Sequence, residues 1–270
     1  MLLWGDMPEE KESFNLVDAA SDLFGALAGG VTVAAVCHDI SGILAGPVGV
    51  GVAHTLRYGA NLFVSRLLAN REKARVGLVY GLVAHRIKSR LDRGEQLRTD
   101  GFFNSDATDR SPADEIAEAI LQTAQREYEE RKLPYFANLL AFMAFTPEID
   151  RSTGNLMVRL AGSLSYRQFC VLALGNDSIR TSLNQSDPTK VAQAAALHLS
   201  LLNEIFALYQ SRSIDLGTLE LTRPVDPRAM PFEYLKLGEI GQYLYQAMDL
   251  GAMPQSEYSD IFSALSALSS

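Results

Sequence analysis

The chain has 270 residues, 47% of them hydrophobic, 21% charged and 9% aromatic, and a formal net charge of −8. That apolar fraction supports a packed core and excludes disorder as the main state, while the length suits one large domain or two small ones. Cys37 and Cys170 are the only cysteines, which excludes a disulfide scaffold and fits a reducing cytosol.

Charge is unevenly spread from the start. Residues 1–23 carry a net −5, and the acids Asp6, Glu9, Glu10 and Glu12 stand where an export signal would have its basic region, so a cytoplasmic location is expected. Residues 24–56 then hold a single charge, Asp39. Two apolar stretches of 14 residues, 24–37 and 40–53, flank His38 and Asp39, and each falls short of the roughly 20 residues that cross a bilayer. Gly25 and Gly29, like Gly42 and Gly46, stand four apart, a spacing that lets helix backbones approach closely. Pro47, Gly49 and Gly51 bend or break any helix through the second stretch. Two readings follow. One is a hairpin that packs on, or inserts shallowly into, a bilayer. The other is a tightly packed helix pair within the core.

Residues 57–98 reverse the charge, with ten bases against three acids. Within them, Val76, Val79, Tyr80, Val83, Ile87 and Leu91 recur at spacings of three and four. This predicts an amphipathic helix over 70–97, with Gly94 as its stop. Its bases fall mostly off the apolar stripe. Arg57, Arg66, Arg71, Lys73, Arg75, Arg86 and Lys88 are therefore the candidate contacts to a membrane or other anionic surface, at about 1 kcal/mol per base. Nucleic-acid contact and internal pairing with the acidic remainder are the alternatives.

Residues 95–110 read as a loop with a turn at Gly101, Phe102 and Phe103. Ser111, Pro112 and Asp114 supply N-cap, N1 and N3 of a helix whose apolar face is Ile116, Ile120, Ala124 and Tyr128. Pro134 stops or kinks it, and 135–145 continues as an apolar helix. Helix 152–164 carries Leu156, Leu160 and Leu164 on one face. Ser165 and Gln168 cap the next helix, which Gly175 follows. Asp187-Pro188 opens the longest C-terminal helix. Short strands at 218–222 and 232–236, joined by a proline-rich turn, precede helices over 240–250 and 256–268. The expected fold is mostly α, with a helical N-terminal part and a C-terminal part bearing a short β-hairpin. Three parts follow from this order: 1–98, 111–164 and 165–270.

The element order over 165–250 is similar to that of a winged-helix domain, with Leu237, Gly238 and Gly241 where its final helix resumes. Residues 160–250 hold seven bases against nine acids, and the helix placed to read a groove carries only Lys190 near its start. Nucleic acid is a poor fit to such a face, and protein contact is the better one. The run Phe136-Ala137-Asn138-Leu139-Leu140-Ala141, preceded by a charged helix, resembles a core motif of the abortive-infection alpha family of bacterial proteins, which are associated with phage resistance. The order of a glycine-rich apolar part, a charged helix and this motif is similar too, as is Ser163-Leu164-Ser165 before a helix. The resemblance implies a bacterial defence or stress-response setting and carries over no functional residues.

Chemistry-bearing patterns are sparse. His38, His54, His85 and His198 form no HxxxH or HxxE pair, so no metal site is expected. Cys37, His38 and Asp39 are adjacent and point in different directions on a helix, which favours a structural role. Phosphate-binding and nucleophile-elbow motifs are missing, so neither a catalytic site nor a cofactor is expected. Glu127, Glu129 and Glu130, beside Arg126, Arg131 and Lys132, read as a solvated helix face. The expected function is a non-enzymatic bacterial defence or stress-response protein that associates peripherally with the inner membrane through 24–98. The alternative is a soluble helical protein-interaction or regulatory module with no membrane role, whose partner is another protein.

Overall fold

Helices dominate the computed structural model, joined by one two-stranded antiparallel sheet. It describes residues 51–56, 58, 59, 68–106, 110–175, 195–215 and 235–268. Gly25, Gly29, Gly42, Gly46, Arg57, Arg66 and the Cys37-His38-Asp39 cluster lie outside the described residues, as does the predicted strand 218–222.

Helix α1 (Asn70–Asp92) buries Val76, Val79, Tyr80, Val83 and Ile87, the stripe that its spacing predicts. It ends at Arg93, and Gly94 follows in the left-handed region at φ +83°, where a residue without Cβ is free of strain. Helix α2 (Pro112–Arg126) opens on a complete capping box: the Ser111 hydroxyl accepts the Asp114 N–H, and the Asp114 carboxylate accepts the Ser111 N–H, both at 3.0 Å. Its apolar face is shorter than its spacing predicts. The helix ends at Arg126, Glu127 takes an extended backbone, and Tyr128 turns outward to 82% exposure while Ile116, Ile120 and Ala124 are buried.

A 3-10 turn (Glu130–Lys132) leads into α3 (Leu133–Met143), which has Pro134 in its first turn, where a missing N–H costs no helical bond. In α4 (Arg151–Ser163), capped by Asp150, the buried side is Gly154, Met157, Val158 and Ala161. The leucine row lies mostly off that side: Leu156 is 40% exposed and Leu160 half-buried, while Leu164 at the C-cap is buried. An i, i+4 row of leucines does not by itself say which side meets α2, and Gly154 allows the closer approach. A Cβ on Gly154 would crowd Ile116 Cδ1 at 2.6 Å. Ser165 and Gln168 close a second capping box at the start of α5 (Tyr166–Leu174).

Helix α6 (Ala195–Gln210) precedes strand β1 (Ile214–Asp215), which pairs with β2 (Lys236–Leu237) in the register Ile214↔Leu237 and Asp215↔Lys236. The second strand shares Lys236 with the predicted 232–236 and extends to Leu237, while 232–234 lie outside the described residues. Helix α7 (Glu239–Ala247) and, after two 3-10 turns, α8 (Ser259–Leu268) complete the described elements. Helices α1, α2 and α3 pack mutually, α4 covers α2, α7 rests on α3 and α5, and α5 packs on α6 and α8. Among the described residues one continuous core runs from Val52 to Ala264.

Gly241 marks the tightest crossing. A Cβ there would overlap the Ser213 carbonyl oxygen, a backbone atom that cannot rotate away. Gly241→Ala should therefore push β1 off α7 and destabilise by at least the ~1–3 kcal/mol of ordinary overpacking. Urea denaturation checks this, and an unchanged midpoint would contradict the crossing.

Candidate functional site

Four of the predicted basic contacts on α1 turn out to have partners within the chain. Arg71 and Arg75 both bind the Glu130 carboxylate, Arg75 through Nε at 2.9 Å. Burial pushes the Glu130 carboxyl up, but the hydrogen bonds and charges of Arg71 and Arg75 outweigh it and hold the group below its usual range. Lys88 pairs with Asp92 one turn on, at 3.1 Å. Arg86 Nη1 donates to the Pro134 carbonyl at 2.7 Å. Lys73 is half-buried, with no ion pair among the described residues.

The expectation of a solvated acidic face at 127–130 is corrected as well. Glu127 and Lys132 are 6% and 2% exposed and form a buried ion pair. Lys132 Nζ also donates to the Gly162 carbonyl at 3.3 Å and lies 5.4 Å and 5.6 Å from the Phe136 and Phe169 ring centres. Helix α2 has ended by Glu127, so helical periodicity no longer governs where these side chains point. A cleft of about 480 Å³ lies above the pair, between the end of α2 and α4. Both ions at its floor are satisfied, so it reads as packing.

A second cleft, of about 530 Å³, gathers features that lie far apart in the sequence. The basic helix α1 contributes Arg86, Arg90 and Arg93; the Phe136–Ala141 run contributes Asn138; the turn after α7 contributes Asp249. Two of the arginines are tied down. Arg90 Nε and Arg93 Nη2 share the Glu95 carboxylate at 2.6 and 2.9 Å, and Arg90 lies 4.1 Å over the Phe145 ring. Arg86 is half-buried, and among the described residues its Nε and Nη2 have no partner. Burial pushes its guanidinium below the ordinary value and the nearby Asp249 charge acts the other way, with no direct ion pair between the two. Asn138 Nδ2 donates to the Met248 carbonyl at 2.7 Å, which leaves its Oδ1 to accept. Asp249 is exposed, with a left-handed backbone (φ 53°, ψ 46°).

Of the predicted surface residues that are described, only Arg86 reaches this cleft; Arg71, Lys73, Arg75 and Lys88 do not line it. Arg90 and Arg93 were legible as part of the basic segment. Asn138 was legible only through the motif, and Asp249 had no sequence signal.

Other reactive groups are packed. The Cys170 thiol is pushed up to about 12 by burial and then by the Glu257 charge, and it donates to the Glu257 carbonyl at 3.6 Å. A thiol held that high is a poor nucleophile at neutral pH. Burial first, then Tyr135, raise the Tyr166 phenol, which donates to Glu257 Oε2 at 3.0 Å. Among the described residues no group of three His, Cys, Asp or Glu side chains could hold a metal ion, and no helix is long and apolar enough to cross a membrane. No family model, curated protein or solved structure matches this chain.

Proposed function

We propose that this chain is a non-enzymatic helical interaction module, which engages a partner protein through the cleft between α1, α3 and the end of α7. The observation that carries this reading is the internal use of the basic helix. Each free base near an anionic bilayer adds about 1 kcal/mol of attraction, but a base already facing a carboxylate adds little net charge at that distance. Arg71, Arg75 and Lys88 are spent in this way on Glu130 and Asp92. Among the described bases of α1 only Lys73 and Arg86 then lack a carboxylate partner, and the recessed Arg86 suits a specific contact better than a diffuse one.

The C-terminal part, with its two-stranded sheet before α7, enters this reading as a winged-helix-like element used for protein contact. The resemblance of 136–141 to the abortive-infection alpha family supplies the context of bacterial defence. Flotation with phosphatidylserine–phosphatidylcholine vesicles at low salt tests the choice. The full chain should remain unbound. Flotation that is lost when Arg71, Lys73 and Arg75 are reversed to Glu would instead favour peripheral association with the inner membrane through 24–98.

A further inference from the structure

We infer that the cleft between α1, α3 and the α7 turn is a receptor for a carboxylate carried on a peptide, with the open edge of Arg86 as its anchor; this rests on the interaction-module reading. Arg86 is recessed, and among the described residues Nη1 alone is committed, to Pro134. The Nε and Nη2 donors are parallel neighbours on one edge of the guanidinium, the pair that grips a carboxylate in a two-pronged bond. Its natural counter-ion, Asp249, lies close enough to be felt but makes no ion pair with it. Among the described residues the strongest binding position on the arginine is therefore vacant.

Charge decides which anion fits. Arg86, Arg90 and Arg93 face Glu95 and Asp249 in this cleft, a net of one positive charge. A single carboxylate neutralises it, whereas a phosphate dianion overshoots and meets two fixed carboxylates. The remaining polar groups point to a peptide. Asn138 Oδ1 and the Asp249 carboxylate are acceptors without donors among the described residues, and a peptide brings N–H groups beside its carboxylate where a bare anion has none. Asp249 also holds a left-handed backbone that few residues adopt, a strain of the kind that gathers at ligand clamps.

The test is a chemical-shift titration of the ¹⁵N-labelled full chain, following the Arg86 Nε–H signal, which Arg86→Lys removes and so assigns. The probes are acetyl-Gly-Glu-Gly-amide, acetyl-Gly-Gly-Gly with a free C-terminus, acetyl-Gly-Gln-Gly-amide and inorganic phosphate. One or both carboxylate peptides should shift the signal saturably, and which one does so tells a side-chain carboxylate from a chain terminus. The glutamine peptide should not bind. Arg86→Gln should weaken binding about tenfold or more. Asp249→Asn, which keeps a side chain that tolerates the left-handed backbone, should tighten it severalfold by removing a resident like charge. If neither peptide binds, if phosphate binds as well as they do, or if Asp249→Asn weakens binding, the assignment is overturned. The asparagine variant decides the matter even if Arg86→Gln fails to fold. A chain that stays off vesicles yet ignores the peptides defeats this inference alone, while one that floats defeats the function it rests on.

Discussion

Lys132→Met is expected to destabilise the fold by about 3–5 kcal/mol, among the largest effects of any single substitution. Lys132 and Glu127 are both buried, and their attraction offsets the cost of taking two charges out of water. With the ammonium gone, Glu127 remains as a buried carboxylate whose only other bond among the described residues is the Glu129 N–H at 2.9 Å, and the Gly162 carbonyl loses a donor. The damage spreads along the chain, because the Glu129 carboxylate in the same turn accepts the Tyr166 N–H at 3.0 Å and so ties the α2–α3 break to α5. Pairing Lys132→Met with Glu127→Leu should recover much of the loss, since an apolar pair of similar volume incurs no desolvation. Urea denaturation of wild type, both single variants and the double variant gives the coupling directly. A single variant within 1 kcal/mol of wild type, or a double variant no better than the worse single, would refute a buried pair.

Arg98→Leu is expected to cost roughly 3 kcal/mol or more, because three carbonyls lose a donor, Met143 keeping only the long Thr146 N–H bond at 3.4 Å, at about 1–3 kcal/mol for each buried group left unsatisfied. The guanidinium is buried beyond the end of α3. Nη1 donates to the Met143 and Ile149 carbonyls at 3.1 and 2.8 Å, Nη2 donates to Pro147 at 3.1 Å, and the Arg98 N–H donates to Ala144 at 3.1 Å. A cation among these C-terminal carbonyls also matches the negative end of the helix dipole. Its outer edge grips Asp100 in two bonds of 2.8 and 2.5 Å, and the Phe102 ring lies 4.2 Å below it. Arg98→Lys should restore only part of the loss, since an ammonium cannot fork between these acceptors.

The same contact predicts a pH effect. Hydrogen bonding to Arg98 holds the Asp100 carboxyl below its ordinary value, against the opposing push of burial. A carboxyl depressed in the folded state adds stability above its unfolded value near 4, and that stability is lost as pH falls through the depressed one. Stability curves for Arg98→Leu should accordingly be flatter on the acid side, and an unchanged acid limb would show that the pair contributes nothing.

Local rules carried the sequence a long way here. The capping boxes at Ser111 and Ser165 were readable because donor and acceptor sit three residues apart, and the α1 stripe because 3.6-residue periodicity needs no neighbour to be seen. Those rules lapsed wherever the answer lay in another element. Leu156, Leu160 and Leu164 form a helical row, but it is α2 meeting Gly154 that turns the helix and leaves Leu156 outside. Tyr128 continued a spacing past the point where its helix had ended.

The amino-acid sequence by itself determined a mostly helical chain, the caps and breaks of its helices, and a block of bases in an acidic protein. Only the tertiary structure decided what those bases do. Arg71 finds Glu130 at a separation of 59 residues, Arg98 sinks beneath α3, and Arg86 reaches a cleft shared with Asn138 and Asp249, its Nε and Nη2 unpaired among the described residues. The reason is range: caps and periodicity act within one helical turn, whereas an ion pair exists only once packing has brought two distant side chains within a few ångströms of each other.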